Sequence, residues 1–491
     1  MTARRSLVAL LILLPVLAAA AAPPDRQQLE RGRRIYQEGA SPSGSPILAV
    51  MGEGGVGGGG GVEVPAASLP CAGCHGRDGK GRPEGGVRPS DVTWTALSKP
   101  YGVTHSSGRQ PPPYDTRLLK RAISLGLDPA GHELDSTMPR FRMSLQEMDD
   151  LVAYLQQLGA GADPGVSDTA VRIGVLLPPA GPLSGMGQAV KAAVTARFEA
   201  VNREGGIYGR RLEARFLEAP KPADQRRSWT ADFLDREEIF AGLAGFFAGA
   251  DAELATLCEE KRLPMVGPFT VYPREAVPLN RYVFYLLPGI AEQEKALARF
   301  AAKSGWPAPR RVGPGAGPVD LKSLAAAKTD PVLFLGSGPE ARAFLETADR
   351  LGWHPRFLAT GAAADGSLLA APAAFEGKIH LALPTSPAGP DARAVAAYRA
   401  LGSLPQTDLS AQTSALAAAH VLIEALQKAG RDLGREKLID QLETLNRFET
   451  GYVPPLTYGP TRRLGARGAY VSRLDLKAKR LVPPGEWFES D

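Results

Sequence analysis

Cys71-Ala72-Gly73-Cys74-His75 decides how the N-terminal part of this chain is read. Two thiols three positions apart, followed at once by an imidazole, are the attachment signature of a c-type haem. Each thiol can form a thioether to a haem vinyl group, and the histidine is left beneath the iron as its proximal ligand. The chain has only 3 Cys and 6 His in 491 residues, so the juxtaposition is poorly explained by chance. A zinc site needs a second ligand pair, and the sequence offers none. The expected cofactor is one covalent haem c on Cys71 and Cys74, with His75 on the iron. The third thiol, Cys258, falls in an expected helix over Ala252–Arg262 and reads as a buried, inert side chain.

Working outward, a second axial ligand is sought downstream among Met138, Met143, Met148, His105 and His132. Met138 is selected. It stands in Ser136-Thr137-Met138-Pro139-Arg140-Phe141, where Pro139 keeps it out of helical geometry. Met143 and Met148 flank a capping box made by Ser144 and Glu147, which gives both a structural role. His132 reads as a turn residue and His105 as a solvated loop residue. Leu29–Gly39 reads as an opening helix with Ile35 and Tyr36 on its apolar side. Leu145, Met148, Leu151, Val152, Leu155 and Leu158 recur at helical spacing and mark a closing helix. The Gly-rich stretch Gly52–Gly61 reads as a mobile loop. Histidine–methionine ligation raises the reduction potential and leaves no open iron position. With no acid/base cluster beside the haem, an electron carrier is expected and an enzyme is not.

At the N-terminus, Arg4 and Arg5 precede the apolar run Leu7–Leu17 and an alanine stretch ending at Ala22. This is the pattern of a secretory signal. Residues 1–22 are expected to be a signal peptide cleaved near Ala22, which places the mature chain in the periplasm. No later segment reads as long and apolar enough to cross a membrane. The net charge of +5 is mild and no basic stripe is present, so nucleic acid is not an expected partner.

Residues 25–159 resemble class I cytochrome c. The resemblance rests on Gly32 and Tyr36 in the opening helix, Cys71–His75, Met138-Pro139 and the terminal helix Ser144–Leu158. It implies an all-α domain. Residues 160–170 read as a linker. From residue 171 to 491 the pattern changes to strands alternating with helices. Strands are expected at Val171–Leu177, Arg211–Leu217, Leu243–Phe247, Met265–Val266, Tyr282–Leu287 and Val332–Leu335. Such alternation implies parallel sheets covered on both faces. The loop Pro178–Gly187 lacks the dinucleotide-binding glycine pattern.

This second part resembles the branched-chain amino-acid receptor branch of the type I periplasmic binding proteins. The carrying residues are Ile173-Gly174-Val175-Leu176-Leu177-Pro178, Ala200-Val201-Asn202 with Gly205-Gly206-Ile207, Pro264-Met265-Val266-Gly267-Pro268, and Leu422–Gly430. The resemblance implies a multi-domain chain whose second domain is an α/β two-lobed clamshell binding a small molecule. It places ligand-binding positions at Ser184, Ala248, Gly249, Thr270, Ser337 and Thr360. It also implies a second-lobe acid for an amino-acid ammonium, where this chain has Thr360-Gly361-Ala362-Ala363 with Asp365 nearby. Arg310–Gly317 is mostly Gly and Pro, so the family's strand–helix–strand unit between Gly305 and Asp330 reads as missing.

The expected function is a periplasmic c-type cytochrome that transfers electrons and carries a small-molecule or partner-recognition domain. Its expected partner is a periplasmic dehydrogenase or oxidase. The alternative is an ABC-transporter solute-binding protein, docking on an ABC permease, with an accessory haem domain.

Overall fold

The computed structural model describes residues 25–490, apart from 53–60, 82–88, 99–110, 160–162, 221, 276–278, 314–315, 317–319, 403, 406, 432 and 484. The expected signal peptide 1–22, His105 and most of the Gly-rich stretch lie outside the described residues. The chain divides into two compact units, Met1–Gly161 and Ala162–Asp491.

The first unit opens with α1 (Arg26–Glu38). Asp25 caps it by accepting a hydrogen bond from the Gln28 N–H, and left-handed Gly39 ends it. There follow β1 (Leu48–Met51), β2 (Val62–Pro65), α2 (Cys71–His75), α3 (Trp94–Leu97), α4 (Thr116–Leu125), β3 (Arg140–Arg142) and α5 (Leu145–Gln157). The capping box read at Ser144 and Glu147 opens α5. Helix α1 packs on α5, burying Ile35 and Tyr36 against Leu151, Val152 and Leu155. Arg31 forks the buried Asp150 carboxylate at 2.6 and 3.0 Å across this crossing. The helical unit also carries a small antiparallel sheet, ordered β2-β1-β3, that was not expected from the sequence. Its register sets Leu48 opposite Arg142 and Val50 opposite Arg140. The Gly-rich stretch therefore joins the two strands of a hairpin, and that hairpin pairs with the segment following Met138.

In the second unit, the Asp163 carboxylate accepts the Arg435 N–H at 2.6 Å. Its first lobe contains β4 (Ala170–Leu177), α6 (Ser184–Arg203), β5 (Arg211–Glu218), α7 (Arg226–Arg236), β6 (Ala241–Leu243), α8 (Asp251–Glu260), β7 (Met265–Val266) and β8 (Val283–Phe284). The sheet is parallel with order β5-β4-β6-β7-β8. Strand β4 reads as nearly continuous apolar sequence because Ile173, Gly174, Val175 and Leu176, which alternate between the two faces, are all buried, as a parallel strand covered on both faces requires. Strand β6 covers only Ala241–Leu243 instead of the expected Leu243–Phe247. Ala244 takes a left-handed φ of 47° and turns the chain there.

The second lobe contains α9 (Ile290–Lys303), β9 (Arg310–Val312), α10 (Leu321–Ala326), β10 (Val332–Phe334), α11 (Gly338–Arg350), β11 (Phe357–Thr360) and β12 (Ile379–Leu383). The chain then returns to the first lobe's core with α12 (Ala392–Ala400), α13 (Leu409–Ala429) and α14 (Arg435–Glu443). It finishes in the second lobe with β13 (Gly468–Asp475), β14 (Arg480–Leu481) and β15 (Glu486–Glu489). Strands β9 to β12 are parallel, and β13 adds antiparallel to β12.

Two expectations are corrected here. Between Gly305 and Asp330, where the family's unit read as missing, a short strand β9 and helix α10 are present and lead into β10, the strand expected at Val332–Leu335. Only Val312 of β9 is buried, so the strand left no alternation to read. Helix α13 is, by length and composition, apolar enough to cross a membrane. Most of it is buried among α6, α14 and the first lobe's sheet, so it is a core helix.

Candidate haem site and ligand cleft

Helix α2 is a single turn and a half, which brings Cys71 and His75 to the same face. Both line one cavity, while Cys74 is exposed. Gly76, at φ 75°, ends the turn, and its carbonyl accepts the buried Tyr36 hydroxyl at 2.7 Å. That bond ties the haem-binding signature to α1. The Gly81 N–H donates to the His75 carbonyl at 2.8 Å and closes the following loop.

The cavity walls include Leu119, Ile123 and Leu151 as well as Cys71, His75 and Met138. The His75 Nδ1 lies 2.8 Å from the Ser90 carbonyl. A carbonyl can only accept, so Nδ1 carries the proton and Nε2 keeps its lone pair. Burial lowers the His75 pKa and favours this neutral ring. Neutral imidazole with a fixed tautomer is the form a metal ligand takes. The Cys71 thiol is pushed up to about 12, first by burial and then by the nearby Cys74.

Met138 closes a turn in which its N–H donates to the Asp135 carbonyl at 3.1 Å. The Asp135 carboxylate accepts the Thr137 N–H and hydroxyl at 2.9 and 2.8 Å. Met148 is a core residue of α5 and Met143 packs at that core's edge. Neither belongs to the cavity lining. His132 is exposed on a turn, with Nδ1 3.6 Å from Asp128. An apolar cavity lined by one unpaired cysteine, one neutral imidazole and one thioether, with a second unpaired cysteine exposed three positions along, fits a covalently attached haem.

In the second unit, the positions implied for ligand binding divide between the lobes. Ser184 opens α6, is exposed, and donates to the Gly181 carbonyl at 2.7 Å. The exposed Gly249 N–H donates to Asp251 at 3.0 Å, and the Thr270 hydroxyl donates to the same carboxylate. These two positions are thereby brought together. The Ala248 carbonyl accepts from Arg226 at 2.5 Å. Arg226 is buried, lies over Phe246, and went unnoticed in the sequence, where an Arg-Arg pair gives no signal of burial. In the second lobe, Ser337 spends its hydroxyl and N–H on Glu340, at 2.7 and 2.8 Å, as the capping box of α11. Thr360 ends β11 almost fully buried, and its hydroxyl has no partner among the described residues. Asp365 sits against Gly338 in the first turn of α11, where a Cβ would fall 1.9 Å from its Oδ1.

A family model described as Periplasmic binding protein matches residues 170–312 and 321–480. One described as Cytochrome c matches residues 66–159. Among solved structures, the chain is similar to a branched-chain amino-acid ABC transporter from Thermus thermophilus with bound valine. That match has 20% identity and a TM-score of 0.52, covering 65% of this chain and 97% of that one. It is also similar to a fatty acid ABC transporter substrate-binding protein from Thermomonospora curvata, at 20% identity and a TM-score of 0.50. Here 67% of this chain and 95% of that one are covered. A type 1 periplasmic binding protein from Bordetella pertussis Tohama I matches at 16% identity and a TM-score of 0.50, covering 65% and 100%. At these identities the likeness shows the fold. No curated protein matches the chain.

Proposed function

Because the chain belongs to the periplasmic binding protein family and carries a cytochrome c domain ahead of it, we propose that it is an exported periplasmic electron carrier. The observation that carries this reading is the arrival of His75 and Met138, from separate segments, on one apolar cavity beside Cys71. A cytochrome c domain implies covalent haem c, and a bound haem supplies a one-electron iron couple. One haem is assigned to Cys71 and Cys74. The Ser90 carbonyl holds the His75 ring with Nε2 left free, so His75 and the Met138 thioether would be the side chains that hold a haem iron. The apolar walls exclude water, and a site closed by two protein ligands favours electron transfer over catalysis on bound substrates.

The partner in this reading is a periplasmic dehydrogenase or oxidase. The second unit recognises a small molecule or that partner through the loops at its strand ends, where ligands of open α/β sheets bind. Ser184, Ala248, Gly249, Thr270 and Thr360 remain the proposed contacts. Ser337 takes part only if it leaves its cap. A second reading, an ABC-transporter solute receptor with an accessory haem, draws support from the presence of β9, α10 and β10 and from the 95–100% of each solved relative that the chain covers.

Intact mass measurement of the protein made in a periplasm that matures c-type cytochromes tests the proposal. One haem mass retained under denaturing conditions, and reduced attachment in Cys71→Ser and Cys74→Ser, is expected. A haem-free mass overturns it. A metabolite released on mild activation in the native spectrum, paired with transport of that metabolite, favours the receptor reading.

A further inference from the structure

We propose that Arg140 is a positioning residue that holds Met138 in place as an iron ligand. The proposal rests on the reading of Met138 as the distal ligand. The Arg140 Nη1 donates to the Met138 carbonyl, and its Nη2 donates to the Leu134 carbonyl at 3.1 Å. These two carbonyls bracket the turn Asp135–Met138. One planar guanidinium therefore ties both ends of the segment that presents the thioether.

The guanidinium has its own seat. A Cβ on Gly126 would fall 1.6 Å from the Arg140 Nε, so only glycine leaves the space it occupies. Gly126 is the left-handed cap of α4, and its carbonyl accepts the Leu134 N–H at 2.7 Å. The Arg140 backbone is fixed in β3 opposite Val50. The turn is thus bound on one side to α4 and on the other to the β1–β2 hairpin. Among the described residues, no carboxylate lies within ion-pair distance of Arg140, and its bonds go to the turn's carbonyls. Arginine presents several N–H donors in a rigid fork, whereas lysine carries the same charge on one flexible point. Ordering the turn before the iron arrives removes an entropic cost from methionine ligation.

The test uses the full-length ferric holoprotein. The sulfur-to-iron charge-transfer band and the affinity for added imidazole are measured in wild type, Arg140→Lys, Arg140→Ala and Gly126→Ala. Far-ultraviolet circular dichroism and haem content serve as controls for folding. Wild type is expected to show the band. Arg140→Lys, which keeps the charge but loses the fork, is expected to lose band intensity and bind imidazole at least about tenfold more tightly, with unchanged circular dichroism. Gly126→Ala is expected to do the same by filling the guanidinium's seat. A band in wild type that is retained in Arg140→Lys and Arg140→Ala, with imidazole affinity unchanged, overturns this proposal alone. Absence of the band from wild type overturns methionine ligation itself, and this proposal with it.

Discussion

A Cβ placed on Gly32 would lie 2.0 Å from the Asp150 carbonyl oxygen, so α1 and α5 meet backbone to backbone at this point. Gly32→Ala must push the two helices apart. Overpacking of this kind costs about 1–3 kcal/mol. The variant is expected to melt at a lower temperature than wild type when unfolding is followed at the haem absorbance. A melting curve superimposable on wild type would show that the crossing adjusts freely.

This crossing illustrates what could be read from the chain alone. Gly32, Tyr36, the Cys71–His75 signature and the Ser144–Glu147 capping box are local patterns, and each sits where its pattern points. The buried alternation-free run of β4 is equally direct. The β1–β3 sheet was missed because its four- and three-residue strands pair across some ninety positions of sequence, and no local period marks them. Strand β9 was missed because one buried valine between Arg311 and a glycine carries no period. Arg140 and Arg226 look like surface charges in sequence. Their roles come from a turn and a loop that only tertiary structure brings to them.

Cysteine reactivity separates the three thiols in haem-free protein. Cys74 is exposed, while burial raises both Cys71 and Cys258 to about 12. A thiol with such a pKa is thiolate to the extent of only about one part in ten thousand near pH 8. Iodoacetamide at that pH should modify Cys74 well before the other two, and labelling of Cys71 should rise as the pH is raised towards 12. Peptide mass mapping reads the order, and equal labelling of all three would contradict the burial described here.

His380 should make the second unit sensitive to acid. Its ring packs against Phe300 and Trp306 at 4.9 and 5.5 Å, and its Nδ1 has no hydrogen-bond partner. Burial, with the Arg473 charge adding to it, lowers its pKa to about 4. As pH falls below about 6.5, the unfolded chain takes up this proton while the folded chain does not. Stability from this group is therefore lost between about 6.5 and 4 and is flat below that. The urea midpoint of the second unit, measured in the full chain, should fall over this window, and less steeply in His380→Phe. An identical slope in the variant would remove His380 from the account.

The second-lobe loop Thr360-Gly361-Ala362-Ala363 contains no acid, and the carboxylate of Asp365 lies beside Gly338 at the first turn of α11 and accepts the Ser367 N–H. A free α-ammonium group would find no carboxylate within that loop to offset its desolvation. Calorimetric titration with valine is expected to give no saturable heat. Saturable binding of valine would contradict this reading of the cleft.

The central claim is that the iron is closed by His75 and Met138 and therefore carries electrons. Mixing the dithionite-reduced holoprotein with carbon monoxide tests it most directly. Wild type should keep its spectrum, while Met138→Ala should form the carbon monoxide adduct promptly and show a lower reduction potential. Adduct formation in wild type as fast as in Met138→Ala would mean that the distal position is open, and the electron-carrier account would fail.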